Sequence, residues 1–141
     1  MLRRSADANV GRSLELLRRF DPNFSEIVFT DFCYALYGKA HEARGQGAAA
    51  LDVFSPYLSE TARNELLRRN PSGLKEVKGI IVGAMSVVNV RGLETPLVQI
   101  SVMFEANYTE AVEINNAPTE MSYYVQERWE FERKREVLSP A

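Results

Sequence analysis

Glu127 is the residue of this chain best placed to do chemistry. It lies in the stretch YYVQERWEFERKR, residues 123 to 135. A strand has a period of two, so odd and even positions occupy opposite faces. The odd face holds Tyr123, Val125, Glu127, Trp129 and Phe131, and the even face holds Tyr124, Gln126, Arg128, Glu130 and Glu132. Glu127 therefore stands among aromatic and aliphatic side chains. Burial there would raise its pKa, the condition for a general acid or base at neutral pH. Without a partner, a buried carboxylate costs several kcal/mol or takes up a proton. The competing reading is a structural carboxylate held by an arginine or by backbone amides near the sheet edge. Asp31, within an apolar helical stretch, would complete an acid and base pair if the two met. His41, close to the end of that same helix, reads as a favourable end charge or a solvated residue rather than a base. Cys33, among Phe29, Phe32 and Leu36, reads as an inert buried thiol. We read Glu127 as structural or ligand-binding and assign no catalytic residue.

Composition narrows the chemistry further. The chain has 141 residues, 45% hydrophobic and 26% charged, which fits one soluble globular domain. One cysteine and one histidine exclude a disulfide framework, a cysteine-cluster zinc site and multi-histidine metal centres. No metal or cofactor is expected. A net charge of −2 gives no overall field for nucleic acid. No apolar run approaches the roughly 20 residues of a membrane span, and the N-terminus lacks the apolar stretch of a secretory signal. Charge is uneven along the chain. Residues 1–20 carry Arg3, Arg4, Arg12, Arg18 and Arg19 against Asp7 and Glu15, while residues 94–132 carry eight glutamates against Arg128.

The elements that must position these residues follow from periodicity. DANVGRSLELLRRF repeats Val10, Leu14, Leu17 and Phe20 at helical spacing, an amphipathic helix with arginines beside its stripe. Asp21-Pro22 ends it and provides the cap and first residue of a second helix, Asn23 to about Arg44. That helix is apolar on two or three sides and reads as central and largely buried. Gly45-Gln46-Gly47 breaks it. Residues 48–54 form a short helix, and Ser55-Pro56 opens another with Leu58, Ala62 and Leu66 on one side. After the turn at residues 70–73 the period falls to two. Even positions from Ile80 to Val90 and from Val98 to Tyr108 are mostly apolar, joined by a tight connection at 91–96. Residues 115–119 form a second turn, and Gly79 and Gly83 mark a bulge or bend. Helices first and long strands after is the α+β pattern, an antiparallel meander with the helices packed on one face.

Asp21-Pro22-Asn23-Phe24 before a long apolar helix, Ser55-Pro56 before a later one, and a closing Val125-x-Glu127-x-Trp129-x-Phe131-x-Arg133 resemble the Tim-forty-four-like domain family. The match runs from about Arg19 to Arg135. The resemblance implies a cone-shaped fold similar to nuclear transport factor two, in which a curved antiparallel sheet wraps the long helix and an apolar pocket opens between them. It also implies a non-enzymatic scaffold, peripheral to an inner membrane on its cytoplasmic or matrix side. That role is linked to protein translocation or membrane-protein assembly, with protein partners at the membrane and anionic lipid as a further ligand. The implied organisation is a basic helix at 1–20, the domain at 21–137 and a tail at 138–141. The ending REVLSPA fits one domain of a longer protein.

On this reading the pocket candidates are Phe32, Leu36, Phe104, Tyr123, Glu127 and Trp129. Tyr34, Tyr37 and Phe131 extend the aromatic set, for which plain core packing is the simpler explanation. Arg3, Arg4, Arg12, Arg18 and Arg19 are the candidates facing a membrane or partner. The first helix has three possible places: on anionic headgroups, on a partner, or docked on its own domain. The rival to the scaffold is a small enzyme of the same fold acting on a hydrophobic substrate through Glu127 and Asp31. A ribosome-associated adaptor is a third reading, disfavoured by the net acidity.

Overall fold

A computed structural model describes the backbone of residues 2–140 and the side chains of residues 8–140. Four helices, α1 (Leu2–Phe20), α2 (Glu26–Arg44), α3 (Ala48–Asp52) and α4 (Glu60–Arg68), precede three strands, β1 (Leu74–Arg91), β2 (Leu97–Ile114) and β3 (Ala117–Lys134). The strands form one antiparallel sheet in the order β1-β2-β3, so the class is α+β as the periodicity requires. The chain divides into two compact units. One comprises Met1–Phe32, Ala84–Glu105 and Gln126–Ala141, the other Cys33–Gly83 and Ala106–Val125. The long helix and all three strands contribute residues to both units.

In the first unit, α1 buries Leu14 and Leu17, at 3% and 1% exposure, and leaves Arg12, Arg18 and Arg19 exposed. The apolar stripe of α1 therefore docks on its own domain and is not available to lie in a lipid surface. The main-chain N–H of Asp21 closes α1 on the Leu17 carbonyl (3.0 Å). Asp21 does not cap the next helix as its place before Pro22 suggests. Ser25 does so, its hydroxyl accepting from the Val28 N–H (3.3 Å) and its carbonyl from the Phe29 N–H (2.9 Å). The first residues of α2 expose Ile27 (73%) and Val28 (67%), with Phe32 also exposed. The sequence reading of a largely buried helix is corrected here. Apolar composition sets a helix's affinity for a core, not how many of its sides the neighbouring elements cover. An aromatic row runs through this unit: Phe24 lies 5.9 Å from Phe29, Phe29 is edge-on to Phe131 at 5.6 Å, and Phe104 is edge-on to Trp129 at 5.7 Å.

In the second unit the rest of α2 buries one stripe, including Cys33, Leu36, Tyr37, Ala40 and Ala43. The cap of α4 is Ser59, whose hydroxyl accepts from the Ala62 N–H (3.1 Å), rather than Ser55 before Pro56. Glu60 then supplies the acidic first turn favoured by the helix dipole. β2 and β3 meet at Asn115 and Asn116, with φ of 52° and 62°. Two successive left-handed residues make the type I′ turn whose twist matches that of a hairpin, and asparagine tolerates this conformation better than most residues.

β2 is the central strand and keeps its period without a break. Every even position from Val98 to Val112 is buried, and all are apolar except the glutamate Glu110. β1 does not keep its even face: Val77 and Val87 are buried on odd positions and Val90 on an even one. Gly79 stands within β1 at φ +63°, a left-handed conformation that glycine adopts without steric cost, and the buried positions change from odd to even only between Val87 and Val90. β3 is an edge, and its odd face is only partly covered, with Tyr123 exposed and Val125, Trp129 and Phe131 half-buried.

The docked α1 gives a direct test. Leu17→Ala should destabilise the chain by about 2–5 kcal/mol, the cost of a cavity at a filled core site. Leu16→Ala, one residue away but exposed, should stay within about 0.5 kcal/mol of wild type. Urea unfolding midpoints measure both.

Candidate functional site

The most elaborate polar site is centred on Arg44, the last residue of α2, whose side chain is wholly buried. Its Nη2 meets Glu110 Oε2 at 2.8 Å, with the Glu110 side chain 6% exposed. Its Nε donates to His41 Nδ1 (2.9 Å) and its Nη1 to Asn70 Oδ1 (2.9 Å). Asn70 Nδ2 in turn donates to the Arg44 carbonyl (2.8 Å). One asparagine therefore satisfies a helix-end carbonyl and orients the guanidinium above it. The guanidinium also stands 5.3 Å from the centre of the Tyr108 ring. His41 is stacked on Tyr108 at 5.2 Å and packed by Tyr37 at 4.6 Å. Because Nδ1 accepts from Arg44, it carries no proton and the ring's own N–H is on Nε2. His41 is thus fully buried within a network, not a solvated charge at a helix end.

The first unit has its own buried carboxylate. Asp21 is fully buried and accepts from Arg133 Nη2 (2.6 Å), the Ser139 N–H (3.0 Å) and the Ser139 hydroxyl (2.7 Å). Arg133 Nη1 also donates to the Ser139 hydroxyl (3.0 Å). Ser139 is therefore part of a clamp on the turn after α1. Burial pushes the Asp21 carboxyl up, but the hydrogen bonds from Ser139 and Arg133 outweigh it and hold the group below its usual 3.8. On the strand surface, Glu130 accepts from the Ser101 hydroxyl (2.5 Å) and from Arg128 Nε (2.9 Å). Partial burial raises its pKa, and these two bonds more than reverse that.

Glu127 is buried and accepts from the indole N–H of Trp129 (3.2 Å), its neighbour on the same strand face. An indole is thus one of the groups that hold this carboxylate. Asp31 stands exposed on α2 with no hydrogen bond or ion pair among the described residues. No hydrogen bond joins Asp31 to Glu127 among the described residues. Of the pocket candidates, Leu36 and Phe104 are buried in packing, Glu127 is bonded, Trp129 is half-buried, and Phe32 and Tyr123 are exposed. None of them lines either of two clefts among the described residues. The larger, about 740 Å³, lies in the first unit among Phe20, residues 94–97, residues 134–136 and Leu138. The smaller, about 410 Å³, lies in the second unit between α2 and residues 76–80 of β1. Of the arginines, Arg12 donates to Asn9 Oδ1 (2.7 Å), and Arg18 and Arg19 are exposed. The side chains of Arg3 and Arg4 lie outside the described residues.

Burial pushes the Cys33 thiol up to about 12, so it carries no thiolate at neutral pH. Among the described residues no group of three or more histidine, cysteine, aspartate or glutamate side chains could hold a metal ion, and no helix is long and apolar enough to cross a membrane. What these sites do chemically is hold elements together. Sequence reasoning missed Arg44, Glu110 and Asn70. Glu110 was within reach, since it continues the even positions of β2 beyond Tyr108, but its partners come from a helix end and a turn with no periodic signal. Compared with family models, curated proteins and solved structures, the chain matches none.

Two outcomes test these networks. Arg44→Met leaves Glu110 buried and unpaired, which should cost about 3–5 kcal/mol in denaturant unfolding, and adding Glu110→Leu should recover most of the loss. Asp21 has a folded-state pKa below its unfolded value, so its contribution is present above 3.8 and is lost as pH falls through the folded value. Asp21→Asn should therefore be less stable at neutral pH and show a shallower fall of stability in acid, followed by unfolding at a series of pH values.

Proposed function

We propose that this α+β chain is a Tim-forty-four-like domain of the cone-shaped, nuclear-transport-factor-two type. It acts as a non-enzymatic scaffold that binds proteins at the inner face of a membrane, in protein translocation or membrane-protein assembly. The observation that carries the binding role is the uncovered apolar start of α2. Ile27 and Val28 are 73% and 67% exposed, side by side, with Phe32 one turn further along the same helix. Apolar groups grouped at one end of a helix are the usual mark of an interaction surface. Arg12, Arg18 and Arg19, exposed on the docked α1, add the positive charge that an anionic headgroup surface attracts. The buried ionisable groups described above are engaged in internal bonds, which favours a binding role over acid and base chemistry.

Liposome flotation with the whole chain tests this reading. Wild type should float with vesicles containing anionic lipid at low salt and be released at high salt. Ile27→Asp with Val28→Asp should abolish flotation, and Arg12→Glu with Arg18→Glu and Arg19→Glu should weaken it. These positions are exposed, so unfolding midpoints should stay close to wild type. Absence of flotation in every condition would contradict direct membrane contact.

A further inference from the structure

We infer that the groove of the second unit takes an extended segment of a partner polypeptide, which adds as a strand to the open edge of β1 alongside α2. The inference goes beyond the membrane role and is independent of it. Five consecutive residues, 76–80, line the groove from the β1 side. Side chains on one face of a strand would line it at every second position, so an unbroken run means that the backbone edge itself borders the groove. β1 is the outer strand of the sheet. Among the described residues, 76–80 make no backbone hydrogen bond outside the sheet. Val77 is wholly buried, with Gly45 packed against its main chain, so the N–H and C=O groups open to another chain are those of its neighbours along the edge, and an extended polypeptide backbone is the ligand whose spacing they match.

The opposite wall is a single stripe of α2. Ala35, Gly38, Lys39 and Glu42 recur at helical spacing and face the groove. Space is kept open by Gly38, where an added Cβ would meet nothing within 4 Å. The groove, about 410 Å³, is within the size of a recognition subsite. Gly79, with φ +63°, bends the edge. That shortens the stretch open to pairing, which suits one short segment better than the full strand of a second copy.

Charge sets the chemistry of the segment. Lys39 and Glu42 are exposed, and neither side chain has a hydrogen-bond or ion-pair partner among the described residues. They are three residues apart on a helix, about 5–6 Å between Cβ atoms. Alternate residues on one side of a strand are about 6.6 Å apart. The complementary segment therefore carries an acidic and a basic side chain two positions apart on the side facing α2, the acid toward Lys39 and the base toward Glu42.

The test uses the whole chain, amide hydrogen exchange, and a displayed library of random ten-residue peptides. In the free protein, the edge-facing amides within residues 76–80 should exchange far faster than those of β2. Selected peptides should slow these amides and carry the acid-x-base pattern. They should lose binding about tenfold or more, roughly 1.4 kcal/mol, when N-methylated at alternate residues. Gly38→Leu, a good helix former that fills the groove, should weaken binding by a similar factor without lowering the melting temperature. Lys39→Glu with Glu42→Lys should select the reversed order of charges. Edge amides already protected in the free protein would overturn the inference. So would a library that yields no binder, or binders indifferent to N-methylation and to Gly38→Leu. None of these results depends on lipid, so they stand apart from the flotation experiment.

Discussion

A guanidinium with no access to solvent sits at the end of α2, and much of the second unit is arranged to make that tolerable. Taking Arg44 out of water is costly, and only close partners offset it. Glu110 brings the opposite charge from the central strand, Asn70 comes from the turn after α4, and His41 comes from the preceding turn of α2. The rings of Tyr108 and Tyr37 enclose the histidine. The central strand and the turn after α4 are thus both fixed to one side chain of α2. The first unit solves the same problem with the opposite sign, enclosing Asp21 with Arg133 and Ser139. Buried charges that are expensive to leave unpaired make alternative arrangements of the same elements costly.

The periodic parts of this architecture could be read from the chain, and the polar parts could not. β2 shows why. Its even positions are apolar from Val98 to Tyr108 and its even face is buried from Val98 to Val112, because a central strand meets a core along most of its length. β1 carries Gly79 in a left-handed conformation, and no rule of periodicity fixes which of its faces is buried. Helix starts were placed too early twice. Asp21-Pro22 and Ser55-Pro56 look like caps, yet Ser25 and Ser59 do the work. Asp21 is instead claimed by residues more than a hundred positions away, a contact with no local signature. His41 and Arg44 are polar residues at a helix end, where solvation is the ordinary outcome. Only the meeting with Glu110 and Asn70 makes them core.

This division between consumed and unconsumed groups shapes the functional reading. Glu127 is held by Trp129, Cys33 stays protonated, and the residues that looked like a pocket lining are mostly packing. What the chain leaves unspent is apolar surface at Ile27, Val28 and Phe32, positive charge on the outside of α1, and a bare strand edge beside Lys39 and Glu42. These are means of holding other molecules. They are the features on which the proposed scaffold role rests, while Leu14 and Leu17 of the first helix are engaged in its own domain.

Residue-resolved NMR of the whole chain, titrated with nanodiscs of anionic lipid, tests most directly whether the uncovered face of α2 is the working surface. Contact there predicts selective broadening of the amides of Ile27, Val28 and Phe32 and of the exposed arginines of α1, with Arg44, Glu110 and Glu127 undisturbed. Broadening centred on Glu127 and Trp129, or spectra unchanged at saturating nanodisc, would contradict it.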